Sequence, residues 1–250
     1  MPPFAAPYVA ELMTVLVIFA RLGTALMFLP GFGETQIPAR HRLSLGLLLS
    51  IALSATIPAI PPGQPALLGL LLAREALIGL YLGAGARVLF ATLHMLGAVI
   101  AHVSSLSNAM AAGMTAYEGS SAVSALLMVA GVALIFATDS HHLILRGLFF
   151  SYQLMPANWI ALDELALQMA KLVSRGFYLA ALLGAPFFVA GILLNLGMGI
   201  ANRVMPNMPI LFVAGPALVM FGFLLLMLTQ EALLGYFIDT FAQFFEQLEV

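Results

Sequence analysis

The sequence contains no cysteine, so it offers no disulfide, no thiolate metal site and no cysteine nucleophile. Charge is almost as scarce. Only 8% of the 250 residues are Asp, Glu, Lys or Arg, against about 25% in an ordinary soluble domain. Nine residues are basic, with Lys171 the single lysine, and the net charge is −2. No surface of such a chain neutralises phosphates, which argues against nucleic acid as a partner. Catalytic signatures are missing too: there is no Gly-x-Ser-x-Gly elbow, no phosphate-binding Gly-x-x-x-x-Gly-Lys and no His-Glu-x-x-His. What fills the space is apolar. Hydrophobic residues make up 62% of the chain, and the mean hydropathy is +1.07. Disorder needs the opposite composition, and a soluble globular enzyme is excluded. A polytopic membrane protein, or a subunit buried in a larger apolar assembly, remains.

With so few charges, the gaps between them measure the hydrophobic elements. Residues 43–73, 88–117, 119–138, 147–162, 176–202 and 204–230 carry none. A spanning helix needs roughly 20 apolar residues. Hydrophobic segments are expected near 10–30, 43–60, 66–101, 121–138, 176–201 and 209–235. In lipid the backbone must satisfy its own hydrogen bonds, so only helices or a closed barrel are possible. A barrel strand alternates apolar and polar residues; Leu47-Leu48-Leu49 and Phe223-Leu224-Leu225-Leu226 do not. Leu, Ala and Met favour helix, so the fold class is all-α. Met1-Pro2-Pro3-Phe4 lacks the basic residues of a cleavable signal, and the first segment is expected to stay. No linker or low-complexity stretch divides the chain, so residues 1–250 are expected to form one domain. Arg40 and Arg42 suggest a cytoplasmic loop after the first segment.

Several segments are too long or too broken for simple spans. Residues 163–202 read as one helix, about 60 Å long at about 1.5 Å per residue, against about 30 Å of hydrocarbon. Its start is amphipathic, with Glu164, Gln168, Lys171 and Arg175 on one face. Gly184, Pro186 and Gly191 predict a kink further on. Pro58-Ala59-Ile60-Pro61-Pro62-Gly63-Gln64-Pro65 marks a turn. Pro206, Pro209 and Pro216 break the chain again, which suggests a hairpin. Bent helical hairpins packed in an assembly explain such lengths better than a flat bundle.

Smaller motifs each have a plain explanation beside a functional one. Gly79-Leu80-Tyr81-Leu82-Gly83 lets a helix approach a neighbour closely. Asp139-Ser140-His141-His142 could hold a metal, but a helix start capped by Thr138 or Asp139 before Leu143–Phe150 accounts for it without one. His94 and His102 could relay protons or simply hydrogen-bond between helices. Leu234, Phe237, Ile238, Phe241, Phe245 and Leu248 line one helical face, expected to pack on a partner or on the chain's own core.

Charges inside apolar runs say more. Arg21, Glu75, Arg87 and Arg203 need partners or water. They mark either an aqueous pathway or subunit interface, or ion pairs that serve structure alone. The stretch Ser104–Ser121 is small and polar, with Met110 and Met114 its bulky members. It is too polar for lipid contact, so it is either a plug inside a pore or a surface loop between helices.

Four stretches together carry a family likeness. They are Arg21-Leu22-Gly23 through Leu29-Pro30-Gly31-Phe32-Gly33 and Ile37-Pro38-Ala39-Arg40; Arg74-Glu75-Ala76-Leu77-Ile78-Gly79-Leu80-Tyr81-Leu82-Gly83; His141-His142-Leu143-Ile144 to Ser151-Tyr152 and Pro156; and Ala185-Pro186, Asn195-Leu196-Gly197-Met198-Gly199-Ile200-Ala201-Asn202-Arg203-Val204-Met205-Pro206 and Gly215-Pro216. In this order they resemble the FliR family, which includes the T subunit of type III secretion export gates. The resemblance implies a core subunit of the flagellar export gate, in the bacterial cytoplasmic membrane at the basal body. It implies bent hairpins in a spiral assembly with FliP-like and FliQ-like subunits and an FlhB-like subunit, in contact with membrane lipid. It implies passage of unfolded flagellar proteins, with no enzymatic activity, no cofactor and no metal. The family's central loop plugs the pore, and Ser104–Ser121 occupies its place. Asn108, Met110, Gly113, Met114 and Tyr117 are then the gate residues, Arg21, Glu75, Arg87 and Arg203 the buried or interface charges, and Pro186, Pro206, Pro209 and Pro216 the helix breaks. Members often carry Asp-Pro in this loop, where the present chain reads Met114-Thr115-Ala116-Tyr117-Glu118. The alternatives are a secondary transporter or channel for small solutes or ions, which interrupted helices and buried charges also fit, and, more remotely, an intramembrane enzyme.

Overall fold

Apolar runs rich in Leu, Ala and Met close their own backbone hydrogen bonds as helices, and that is what forms. In the computed structural model, residues 6–34, 37–57, 65–103, 122–156, 162–205 and 210–247 are described. The regular elements among them are all α-helices. They are α1 (Ala6–Phe28), α2 (Ala39–Ser54), α3 (Pro65–Val103), α4 (Ala122–Ala137), α5 (Ser140–Leu154), α6 (Leu162–Val204) and α7 (Ile210–Glu246). Four of them hold stretches long and apolar enough to cross a membrane: Tyr8–Phe28, Leu68–Val103, Leu162–Val204 and Gly215–Glu246. The chain is an all-α protein of the polytopic membrane type.

The boundaries differ from expectation in three places. Helix α2 starts four residues earlier, after Pro38, and stops at Ser54 rather than near 60. The segment near 209–235 and the C-terminal apolar face form one helix, α7. Pro186 and Pro216 do not end their helices; α6 and α7 run through both. A single proline removes one backbone hydrogen bond, and a long apolar helix tolerates that loss. The break expected at Pro206 and Pro209 coincides with the gap between α6 and α7, and those two residues lie outside the described ones.

The chain divides into two units. The first comprises residues 1–88, 139–172 and 241–250, the second 89–138 and 173–240. Helices α3, α6 and α7 each contribute to both. In the first unit, α1 buries Val17, Ile18, Arg21, Leu22, Ala25 and Leu26, a single face of the helix, and Leu29 just beyond its end is buried with them. It ends at Leu29-Pro30-Gly31, where Gly31 takes a left-handed φ of 81°. Helix α2 buries only Gly46 and Ser50, with Gly46 set against Phe19, Gly23 and Leu26 of α1. Helix α3 supplies Glu75, Ile78, Leu82 and Ala86 to this unit, and Leu89, Leu93, Leu96 and Ile100 to the second. Steps of three and four residues keep that stripe on one side throughout.

In the second unit Phe90 of α3 meets Phe237 of α7 edge to face, with ring centroids 5.0 Å apart. Gly184 of α6 lies against Leu96 and Val99, and Gly191 against Val103. These glycines, read from sequence as a kink, serve close approach of α6 to α3. Where lipid tails are as apolar as leucine, such steric fit replaces water exclusion as the force between helices. Of the C-terminal face, Phe237, Phe241 and Phe245 are buried in the chain's own core, and Leu248 lies outside the described residues.

Candidate functional site

The most constrained chemistry lies in the first unit. Arg21, two turns before the end of α1, has no exposed surface, and neither has Glu75 of α3. Arg21 Nε donates to Glu75 Oε2 at 2.6 Å and Nη2 to Oε1 at 3.0 Å. Nη2 also donates to the Met155 carbonyl at 2.8 Å, and Nη1 to Ser151 Oγ at 3.1 Å. The guanidinium carbon stands 3.9 Å from the centre of the Tyr152 ring, whose hydroxyl donates to the Ile18 carbonyl. The planar fork of an arginine suits such bidentate pairing. Three helices, α1, α3 and α5, therefore meet on one charge.

Local sequence explains how Glu75 comes so near. One turn further along α3, Gly79 faces the Arg21 carbonyl and Thr24 Oγ1, and any Cβ there would collide with both. At Gly83 a Cβ would stand 2.7 Å from the Ala25 carbonyl oxygen. The Gly-x-x-x-Gly thus seats α3 directly on the α1 backbone. The pair links residues 54 apart within one chain. Arg87 and Arg203 behave differently. Both are exposed on this chain and, among the described residues, have no ion-pair partner.

A second polar knot closes the loop after α1. Arg42 of α2 donates from Nη2 to the Ile37 carbonyl at 3.0 Å and from Nη1 to the Gly33 carbonyl at 3.3 Å. Its charge caps these two carbonyls, one after α1 and one just before α2, besides marking the loop as basic. Tyr81 of α3 donates to Gln168 Oε1 of α6 at 2.8 Å, which ties the amphipathic start of α6 to the same unit.

Asp139, His141 and His142 each offer a ligand atom within 4.8 Å of the others. Asp139 has a left-handed φ of 56° and stands at the N-cap position of α5, yet its side chain makes no capping hydrogen bond. A capping side chain works from an extended backbone, which this residue lacks; its carbonyl instead accepts from the His142 amide at 2.9 Å. His94 is half-buried and His102 exposed.

The five gate candidates, Asn108, Met110, Gly113, Met114 and Tyr117, lie outside the described residues. The helices that flank them are held tightly. Gly97 of α3 packs on the Ser124 backbone of α4, where a Cβ would overlap, and Ser124 Oγ donates to the His94 carbonyl at 3.1 Å. At the last residue of α3, Val103 packs on Gly191 of α6 with no room for a methyl group.

The remaining feature is a large unpartnered surface. Of the apolar window of α6 only 28% is buried within the chain, and of α7 only 22%. Phe177, Val189, Leu193 and Ile200 of α6, and Met220, Leu224 and Leu228 of α7, are all more than half exposed.

Comparison with known proteins decides the kinship. The family described as bacterial export proteins, family 1, matches residues 12–244. The flagellar biosynthetic protein FliR of Caulobacter vibrioides is 33% identical over 240 residues, 94% of each chain. The proteins of that name from Bacillus subtilis and Escherichia coli are 25% and 23% identical, over 87% and 92% of this chain and 86% and 88% of their own. The chain belongs to the bacterial export proteins, family 1.

As a family 1 export protein, it is a component of the flagellar export apparatus. The match spans the Arg21–Glu75 knot, the Arg42 turn and the long arms α6 and α7 alike. Sequence reasoning singled out Arg21 and Glu75 but did not pair them, and it gave Ser151 and Tyr152 no contact with Arg21 and Arg42 no carbonyl-capping role. One signal was available: Glu75 precedes Gly79 by one helical turn, so the charge shares a face with the close-approach glycines.

Proposed function

We propose that this chain is a non-enzymatic core pore subunit of the flagellar type III protein export gate. It acts in the bacterial cytoplasmic membrane, at the flagellar basal body, and passes unfolded flagellar proteins. The observation that carries the reading is the mismatch of α6. Its 43 residues reach about 65 Å at about 1.5 Å per residue, twice the hydrocarbon thickness of about 30 Å. Its apolar surface is mostly uncovered by its own chain. Such a helix is suited to sister subunits around a conduit, here FliP-like and FliQ-like subunits with an FlhB-like neighbour. Family membership across residues 12–244 supports the same reading.

Within that assembly the whole chain acts as one gate domain, and segment 104–121 obstructs the pore at rest. Met110 and Met114 supply flexible side chains that close around a polypeptide and limit ion leakage. Arg87 and Arg203, exposed on the chain, meet neighbouring subunits. The test is deletion of residues 107–119. The assembly still copurifies, and membrane ion conductance rises; unchanged conductance removes the plug reading. Solute-dependent uptake by the chain purified alone would instead make it a secondary transporter.

A further inference from the structure

Glu231 stands within the apolar stretch Gly215–Glu246 of α7. It is exposed, and among the described residues it has no ion-pair partner. No other charge lies between Arg203 and Asp239. A carboxylate on a helix of membrane length is costly unless a cation or hydrogen-bond donors meet it. Glu231 lines an open groove of about 380 Å³ whose other lining residues include Leu134 of α4, Thr138 just after it, and Gln230, Leu234 and Ile238 of α7. The Thr138 hydroxyl donates to the Leu134 carbonyl. Among the described residues, no lysine, arginine or histidine lines the groove. It therefore combines leucine and isoleucine walls, one carboxylate with an adjacent amide, and no countercharge.

We infer that this groove receives a lysine or arginine side chain from a helix of a neighbouring membrane subunit. The methylene stem lies along Leu134, Leu234 and Ile238, and the charged head reaches Glu231 and Gln230. Long basic side chains divide in this way between apolar walls and a polar end. A hydrated metal ion would answer the charge but leave the walls unused, and an acyl chain would answer the walls but leave the charge. Complementary charge at such a contact selects the partner and its register more than it adds affinity. The inference rests on the reading that the chain works inside a membrane assembly, and goes beyond it by naming a contact and its chemistry.

The absence of native cysteine makes an introduced one unique. Ile238→Cys is labelled with a water-soluble maleimide in the purified assembly and in the chain dissociated from it in detergent. Labelling is expected to be at least tenfold slower in the assembly. Glu231→Lys is expected to reduce copurification of the partner subunits at least tenfold. Glu231→Gln, which keeps the shape, reduces it severalfold, and exchange of one partner lysine or arginine for glutamate restores the Glu231→Lys variant. Equal labelling in both states, with unimpaired assembly of Glu231→Lys, overturns the contact and leaves the assembly reading standing. A wild-type chain that copurifies with no subunit removes the assembly reading itself. Stoichiometric amine-headgroup lipid, lost from Glu231→Lys without effect on the subunits, assigns the groove to lipid and overturns the inference.

Discussion

Replacing Glu75 by alanine removes both oxygens that receive Arg21 while leaving the guanidinium where no water reaches it. In the native chain Arg21 makes four hydrogen bonds, two of them to the carboxylate. The variant keeps only Ser151 and the Met155 carbonyl. Orphaning one member of a buried ion pair costs about 3–5 kcal/mol. That is roughly two to three and a half powers of ten in the ratio of folded to unfolded chain. Exchange of both partners, Arg21→Met with Glu75→Leu, should behave otherwise. It removes the buried charge altogether, a change that is often neutral or stabilising. Ser151 Oγ still donates to the Leu148 carbonyl, so only the Met155 carbonyl loses its donor, at about 1–3 kcal/mol. The double variant is therefore expected to recover most of the loss. Urea titration of the detergent-solubilised chain, followed by circular dichroism, measures all three proteins. The reasoning fails if Glu75→Ala unfolds within about 1 kcal/mol of the native chain, or if the double variant is less stable than the single one.

Two further substitutions test the close approaches. Gly79→Leu forces a side chain into the Arg21 carbonyl and Thr24; it should destabilise by about 1–3 kcal/mol or more, whereas Gly69→Leu, at a position with open space, should change the urea midpoint little. Gly191→Ala drives a methyl group into Val103 at the end of α3. If those contacts hold the frame of segment 104–121, the variant raises ion conductance of the assembled gate, and Val103→Ala as a second substitution restores it. Conductance that ignores both changes would separate this packing from gating.

Several features were legible in residue order because they depend on composition or on helical period. The scarcity of charge, the apolar runs and the preference of Leu and Ala for helix sufficed for an all-α membrane-type chain. The runs 66–101 and 176–201 located most of α3 and α6 for the same reason. The amphipathic C-terminal stretch showed its buried phenylalanines through their spacing. Proline was read too literally. Pro186 and Pro216 sit inside helices, because apolar surroundings give the backbone no better partner than its own remaining hydrogen bonds.

Partnership was beyond the reach of residue order. Arg21, Glu75, Arg87 and Arg203 look alike in the sequence, each a charge in or beside an apolar run. Two of them neutralise each other in a sealed core, and the other two stand on the surface. The same holds for the glycines: their spacing announces small size, but only the meeting of α1 with α3 and of α3 with α6 gives that size a purpose. The physical reason is range. Helical period and solubility are summed over neighbours along the chain, whereas a salt bridge across 54 residues or a backbone contact at Gly79 exists only once separate helices have been brought side by side.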